Sequence, residues 1–242
     1  MRELSGKVAV VTGGGSGIGR GMALAFADAG MKLVVSDIEL PAAEKVAAEI
    51  QATGRRALAV QTDVSRRESV EALAERTYRE LGAAHVLCNN AGVAVFGPLD
   101  EQRDTDWRWV LSVNLEGVVH GLQAFLPRMK AQPGAKHVVN TASLAGIAAL
   151  PGLGIYTATK YAVVGISETL RLEGPRYELG CSVLCPGAVN TNIMTMRICT
   201  GDPISSSLRP PPSPSRPTSS PYTERLETIG QRFPARKSNT PP

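Results

Sequence analysis

The sequence predicts an α/β fold built on one doubly wound parallel sheet. Two observations carry this: short β-rich apolar runs alternate with longer helix-patterned stretches, and the runs are apolar almost without interruption. The runs lie at 7–11, 32–36, 56–61, 85–89, 136–141 and 181–185. A strand that is apolar at successive positions, such as Val8-Ala9-Val10-Val11, can be buried on both faces, as the strands of a parallel sheet are. The helical stretches are 18–29, 41–52, 66–81, 107–130 and 156–177. Gly30, Gly54 and Gly82 follow the first three, where a left-handed residue closes a helix.

The chain has 242 residues, which suits one large domain and leaves little room for a second. No apolar run approaches the roughly 18 residues of a membrane span. The opening residues carry no apolar export segment, so a cytoplasmic, membrane-free protein is expected. The net charge of +4 suggests nucleic acid only until its location is read. From Pro203 onward stand six of the 26 Lys/Arg and two of the 22 Asp/Glu, leaving 20 of each in the first 202 residues. The body is neutral and offers no basic stripe, so no nucleic-acid partner is expected. Cys88, Cys181, Cys185 and Cys199 lack Cys-x-x-Cys spacing, and His85, His120 and His137 are scattered, so no metal site is expected.

Composition changes after about residue 200. Ten of the 17 prolines fall in the last 40 residues, and 201–242 reads as a Pro/Ser-rich, disordered tail on a catalytic domain at 1–200.

The first βα connection is Thr12-Gly13-Gly14-Gly15-Ser16-Gly17-Ile18-Gly19. Glycines here let the chain turn sharply, let backbone approach a pyrophosphate and let the helix pack close to its strand. The helix start then offers free N–H groups and a positive dipole end to phosphate. The spacing is neither Gly-x-Gly-x-x-Gly nor a P-loop. Asp37 ends the second strand, 20 residues after Gly17. A carboxylate there can accept from both ribose hydroxyls of an adenosine and would repel a 2′-phosphate, which favours NAD over NADP.

Tyr156 and Lys160 are four residues apart and so share a helical face. A ketone that accepts hydride needs a proton donor, and a phenol serves if its pKa falls from about 10 toward the working pH, which a nearby ammonium promotes. Ser143 supplies an uncharged hydroxyl able to polarise a carbonyl. No Gly-x-Ser-x-Gly elbow surrounds Ser143, which argues against a serine hydrolase.

The Gly turn, Asn89-Asn90-Ala91-Gly92, Ser143, Tyr156-Thr157-Ala158-Thr159-Lys160 and Pro186-Gly187 occur in one order. In this the sequence resembles the short-chain dehydrogenase/reductase family, a Rossmann-type fold, over roughly residues 5 to 195. The resemblance implies that Gly13, Ser16, Gly17, Ile18 and Gly19 hold the dinucleotide and that Asp63 and Val64 hold its adenine. It places Asn90, Ala91 and Gly92 beside the cofactor, and Pro186, Gly187 and Thr191 at the nicotinamide. Asn114 would distort its helix and anchor a water leading to Lys160. Ser143 would bond the reacting oxygen, Tyr156 would be the acid/base, and Lys160 its partner and a contact of the nicotinamide ribose.

It also implies a homodimer through the helices 107–130 and 156–177. Val110, Val113, Val118, Leu122 and Phe125, with Ala162, Ile166 and Leu170, give these helices enough apolar residues for an interface and a core contact. Family members continue past Pro-Gly into a lid and a seventh strand; here the match fades after Ile193, and neither is found in the sequence.

The expected function is therefore hydride transfer between NAD(H) and a secondary alcohol or ketone. The apolar residues Leu144, Ile147, Leu150 and Leu153 would line its pocket. The alternatives are a dinucleotide-binding protein that has lost turnover with its lid, and a scaffold whose Pro-rich tail docks proteins in polyproline form.

Overall fold

The computed structural model describes residues 3–189 and Ile193. The chain divides into two compact units, Met1–Ile198 and Cys199–Pro242, and all of the second lies outside the described residues. The tail, the lid and any seventh strand fall there too.

Six parallel strands form one sheet: β1 Val8–Thr12, β2 Lys32–Asp37, β3 Ala57–Gln61, β4 Val86–Asn89, β5 Lys136–Thr141 and β6 Leu179–Leu184. Their order across the sheet is β3-β2-β1-β4-β5-β6. Strand β1 shows why the apolar run is continuous. Val8 and Val10 enter one core with Leu73, Leu87, Phe125 and Met129, while Ala9 and Val11 enter another with Ala23, Ala27, Val46 and Ile50. Period-2 alternation sends neighbours to opposite faces, and both faces are covered.

The helices that cover them are α1 Gly17–Asp28 and α2 Leu40–Ala52 on the second face, and α3 Arg67–Leu81, α5 Gly117–Ala131 and α6 Gly154–Glu173 on the first. The predicted caps hold: Gly30, Gly54 and Gly82 have φ of +85°, +77° and +79°.

The stretch expected as one helix over 107–130 is instead three pieces. Helix α4 spans Asp104–Leu111, a π-helical turn spans Ser112–Glu116, and α5 follows. It starts three residues early because Asp106 accepts a hydrogen bond from the Arg103 N–H at 3.1 Å, closing the first turn. The guanidinium of Arg103 also holds that carboxyl below its usual range.

The chain winds outward from β1 through β3, then crosses back to β4 and winds outward the other way. The C-terminal ends of β1 and β4 therefore diverge at a switch point, the place where doubly wound sheets bind ligands. Among the described residues no helix is long and apolar enough to cross a membrane.

The apolar residues of the two long helices divide between a core contact and a partly exposed face. Val110, Val118, Phe125 and Leu170 are interior residues of the single chain, packed in its own clusters. Val113, Leu122, Ala162 and Ile166 stay partly exposed. Amphipathic spacing marks a buried stripe but does not say which partner buries it.

Candidate active site

The Gly turn crosses the end of β1 and opens α1. A Cβ on Gly13 would stand 2.9 Å from the Ala91 Cα, and one on Gly15 would stand 2.7 Å from the Ala42 Cβ. One on Gly19 would collide with the Gly13 carbonyl oxygen. The turn can therefore pack against the loop after β4, α2 and its own carbonyl only because these positions lack side chains. Ser16, the N-cap, makes no side-chain capping bond, and the N–H groups at Gly17, Ile18 and Gly19 have no intrahelical acceptor. This cradle fits a pyrophosphate.

Asp37 is tied to the same turn. Its Oδ2 accepts from the Gly15 N–H at 2.9 Å and its Oδ1 from the Glu39 N–H at 3.1 Å. Each carboxylate oxygen has a second lone pair left for a ligand. Asp63 and Val64 follow β3 beside this strand end, where the Thr62 N–H donates to the Asp37 carbonyl at 2.8 Å.

Asn90 stitches the switch point together. Its amide donates to the carbonyls of Thr12 at 3.0 Å and Gly13 at 3.3 Å, and its Oδ1 accepts from Thr141 at 3.2 Å. The Thr12 hydroxyl accepts from the N–H groups of Asn90 and Ala91 at 3.0 and 3.2 Å. Thr12 and Thr141 are site-building residues that the motif reading passed over. The signal available for Thr12 was its place at the head of the Gly turn.

Asn114 lies in the π turn, fully buried. Its Oδ1 accepts from the Val93 N–H and its Nδ2 donates to the Val93 carbonyl, both at 2.8 Å; Nδ2 also reaches the Thr159 hydroxyl at 3.3 Å. The expected distortion of the helix is present at this residue. The two amide hydrogens are thus committed to protein partners, and Oδ1 keeps one lone pair beyond its bond to the Val93 N–H. Gly92 adjoins both this side chain and Lys160, since a Cβ there would stand 3.4 Å from the Asn114 Oδ1 and 3.5 Å from the Lys160 Nζ.

Ser143 stands two residues past β5, heading a 3₁₀ turn at Leu144–Gly146 whose Ala145 N–H donates to its hydroxyl at 3.1 Å. It is both a cap and a neighbour of Tyr156. Burial pushes the Tyr156 phenol up, and the Ser143 hydroxyl bonded to it lowers it by less. The expected fall toward neutral pH is therefore reversed in this structure. Burial is the larger effect, and the Lys160 Nζ sits over the ring, 5.5 Å from its centroid.

Lys160 is 3% exposed, and its ammonium donates to the Thr141 carbonyl at 2.8 Å. Burial lowers its pKa to about 8, and Cys185 nearby raises it by less. Pro186 and Gly187 follow β6, and the Pro186 carbonyl accepts from the Leu144 N–H at 2.9 Å, closing the site beside Ser143. Thr191 lies outside the described residues. Among the described residues no group of three His, Cys, Asp or Glu side chains could hold a metal ion.

Asn114, Ser143, Tyr156 and Lys160 are thus brought close together beside Thr141, which Asn90 ties to the Gly turn. The family model for the short chain dehydrogenase matches residues 7–199. The chain belongs to the short-chain dehydrogenase family.

Two curated relatives of this short-chain dehydrogenase illustrate its range. C alpha-dehydrogenase of Sphingobium sp. strain NBRC 103272 / SYK-6 is 37% identical over 194 residues, 80% of this chain and 64% of that protein. The CLA biosynthesis dehydrogenase/reductase of Lactiplantibacillus plantarum is 34% identical over 195 residues, 80% and 68%. Among solved structures, a short chain dehydrogenase/reductase from Burkholderia phymatum in complex with NAD aligns with a TM-score of 0.79 at 41% identity. The match covers 96% of this chain and 80% of that one. The 3-ketoacyl-(acyl-carrier-protein) reductase from Brucella melitensis complexed with NADH aligns at 0.76 and 34%, covering 81% of each.

The buried ammonium makes this short-chain dehydrogenase sensitive to pH in a defined direction. Lys160 has a folded pKa of about 8 against an ordinary value of 10.5, so between those limits the unfolded chain binds more protons than the native one. This group alone therefore makes stability rise with pH across that window and leaves it flat below. Lys160→Met removes the titration. Its unfolding free energy minus that of the wild type should fall by about 3 kcal/mol between pH 7.5 and 10.5 in denaturant titrations. A difference independent of pH would show that the ammonium is not desolvated.

Proposed function

We propose that the protein interconverts a secondary alcohol and a ketone with NAD(H), using Tyr156 as acid/base. The observation that carries this reading is the Tyr156 phenol, bonded to Ser143 and set over the buried Lys160 ammonium at the switch point. The hydride would come from, or go to, NAD(H) bound along the Gly turn. With its pKa raised, the phenol holds its proton at neutral pH and can give it to a developing alkoxide. In the oxidative direction it must release that proton, and the neighbouring cation and the Ser143 hydroxyl both favour the phenolate. The Ser143 hydroxyl would polarise the substrate oxygen. Asn114 would act through position, joining the loop after β4 to α6.

The substrate-facing rim supports an apolar substrate. Leu144 and Ile147 are exposed beside Ser143, and Phe96 and Leu99 are exposed on the opposing loop. That loop is bonded to the turn before Tyr156 through the Gly97 N–H and the Gly152 carbonyl at 3.0 Å.

Asp37 supports a preference for NAD. A 2′-phosphate would meet its charge, and neither Gly14 nor Gly15 offers a cation in exchange. For assembly, α5 presents a surface depression of about 390 Å³ lined by Leu122, Gln123, Leu126, Pro127 and Lys130. We assign a homodimer to that face, with α6 alongside.

Tyr156→Phe should cut turnover in both directions by roughly 100-fold or more while NAD affinity stays within a few-fold. Near-normal turnover with a panel of secondary alcohols would remove Tyr156 from the chemistry. Wild-type protein should bind NAD more tightly than NADP in fluorescence titration, and Asp37→Ser should narrow that ratio by about tenfold; equal wild-type affinities would sink the assignment of Asp37. Light scattering should give a dimer that Leu126→Asp converts to a monomer, whereas a monomeric wild type would exclude the α5 interface.

A further inference from the structure

The segment at 62–66, between β3 and α3, has no regular structure; its Thr62 N–H donates to the Asp37 carbonyl at 2.8 Å and its Arg66 N–H to the Asp63 carbonyl at 3.1 Å, and side chains supply further support. Part of that is local. Asp63 Oδ1 accepts from the Ser65 N–H at 3.0 Å and from its hydroxyl at 2.6 Å, and the Asp63 N–H donates to the Ser69 hydroxyl at 3.0 Å.

The remaining contact comes from a different element. His120, one turn into α5, has its Nδ1 2.9 Å from the Val64 carbonyl oxygen. A carbonyl can only accept, so this nitrogen carries the hydrogen and the ring donates. Gly117, three residues earlier on the same side of the helix, allows the approach. A Cβ there would stand 3.0 Å from the Val64 Cγ2 and 3.1 Å from its Cβ. The first turn of α5 therefore sits directly on Val64, bonded at one position and closely packed at another.

We infer that His120 is a positioning residue for the adenine end of the cofactor, acting through the Val64 carbonyl; this rests on the proposed reading of the site as one that binds NAD. Asp37, which faces the same strand ends, is joined to this segment through Thr62. Asn114 lies in the π turn of the same helical run, three residues before the start of α5. One run of chain thus fixes the adenine segment at Val64 and the loop beside Lys160 at Val93.

The test uses three ligands whose binding is measured by titration: NAD, ADP, which carries only the adenine half, and nicotinamide mononucleotide, which carries only the other. His120→Ala should weaken NAD and ADP by about five- to tenfold, the size expected for one lost hydrogen bond that leaves its acceptor unpaired. Nicotinamide mononucleotide should bind as it does to wild type. His120→Asn, whose amide can donate from a similar position, should restore most of the loss, and the ligand-free thermal midpoint should fall by a few degrees in His120→Ala and stay near wild type in His120→Asn. Unchanged NAD and ADP affinity in His120→Ala would overturn the inference while leaving the cofactor reading intact. Equal weakening of all three ligands would also overturn it, because it would mean general damage to the fold. A wild type that binds neither NAD nor ADP would overturn both.

Discussion

A single buried cation organises this molecule. Lys160 holds a full ammonium at 3% exposure, and no acidic side chain pairs with it among the described residues. Burying such a group is costly, and the structure offsets the cost with the Thr141 carbonyl and the face of the Tyr156 ring. Thr141 ends β5, so the strand that supplies the carbonyl must sit one helix-width from α6 in a fixed register. That register is set by the ladders with β4 and β6, and Asn90 joins Thr141 to the Gly turn through its side-chain amide. The Gly turn and the group formed by Ser143, Tyr156 and Lys160 are therefore parts of one hydrogen-bonded assembly.

Much of this was legible because it is local. The continuous apolar strands follow from burial on both faces, and β1 shows both faces being used. Gly30, Gly54 and Gly82 were readable as caps because a left-handed residue without Cβ has few other uses after a helix. The Gly turn was readable from its place between an apolar strand and an amphipathic helix. The structure adds the steric reason: Gly13, Gly15 and Gly19 each have a neighbour where a side chain would begin.

What stayed hidden depends on depth or on distant partners. Asn114 meets Val93 and Thr159, 21 and 45 residues away, and nothing in its own surroundings announces either. The partner of Lys160 is a backbone carbonyl, which has no side-chain signature. The direction of the Tyr156 shift could not be read because four-residue spacing gives neighbourhood and says nothing of burial, which is the larger influence here. Val110, Phe125 and Leu170 look like interface residues in sequence for a similar reason. A helix stripe bound for the core and one bound for another chain have the same periodicity.

The π turn at Ser112–Glu116 has a consequence for how this chain tolerates change. A wider turn of this kind equals one residue inserted into an α-helix, and each residue of a helix advances it by about 100°. Upstream of it, Val110 packs with Val93, Val95 and Ile155; downstream, Phe125 and Met129 pack under the sheet. The two halves are out of phase, and each has its own destination. Substitutions can be absorbed on either side, but losing or gaining one residue between 112 and 116 would rotate one half against the other. Drift in length is thus forbidden to this segment, however freely its surface letters change.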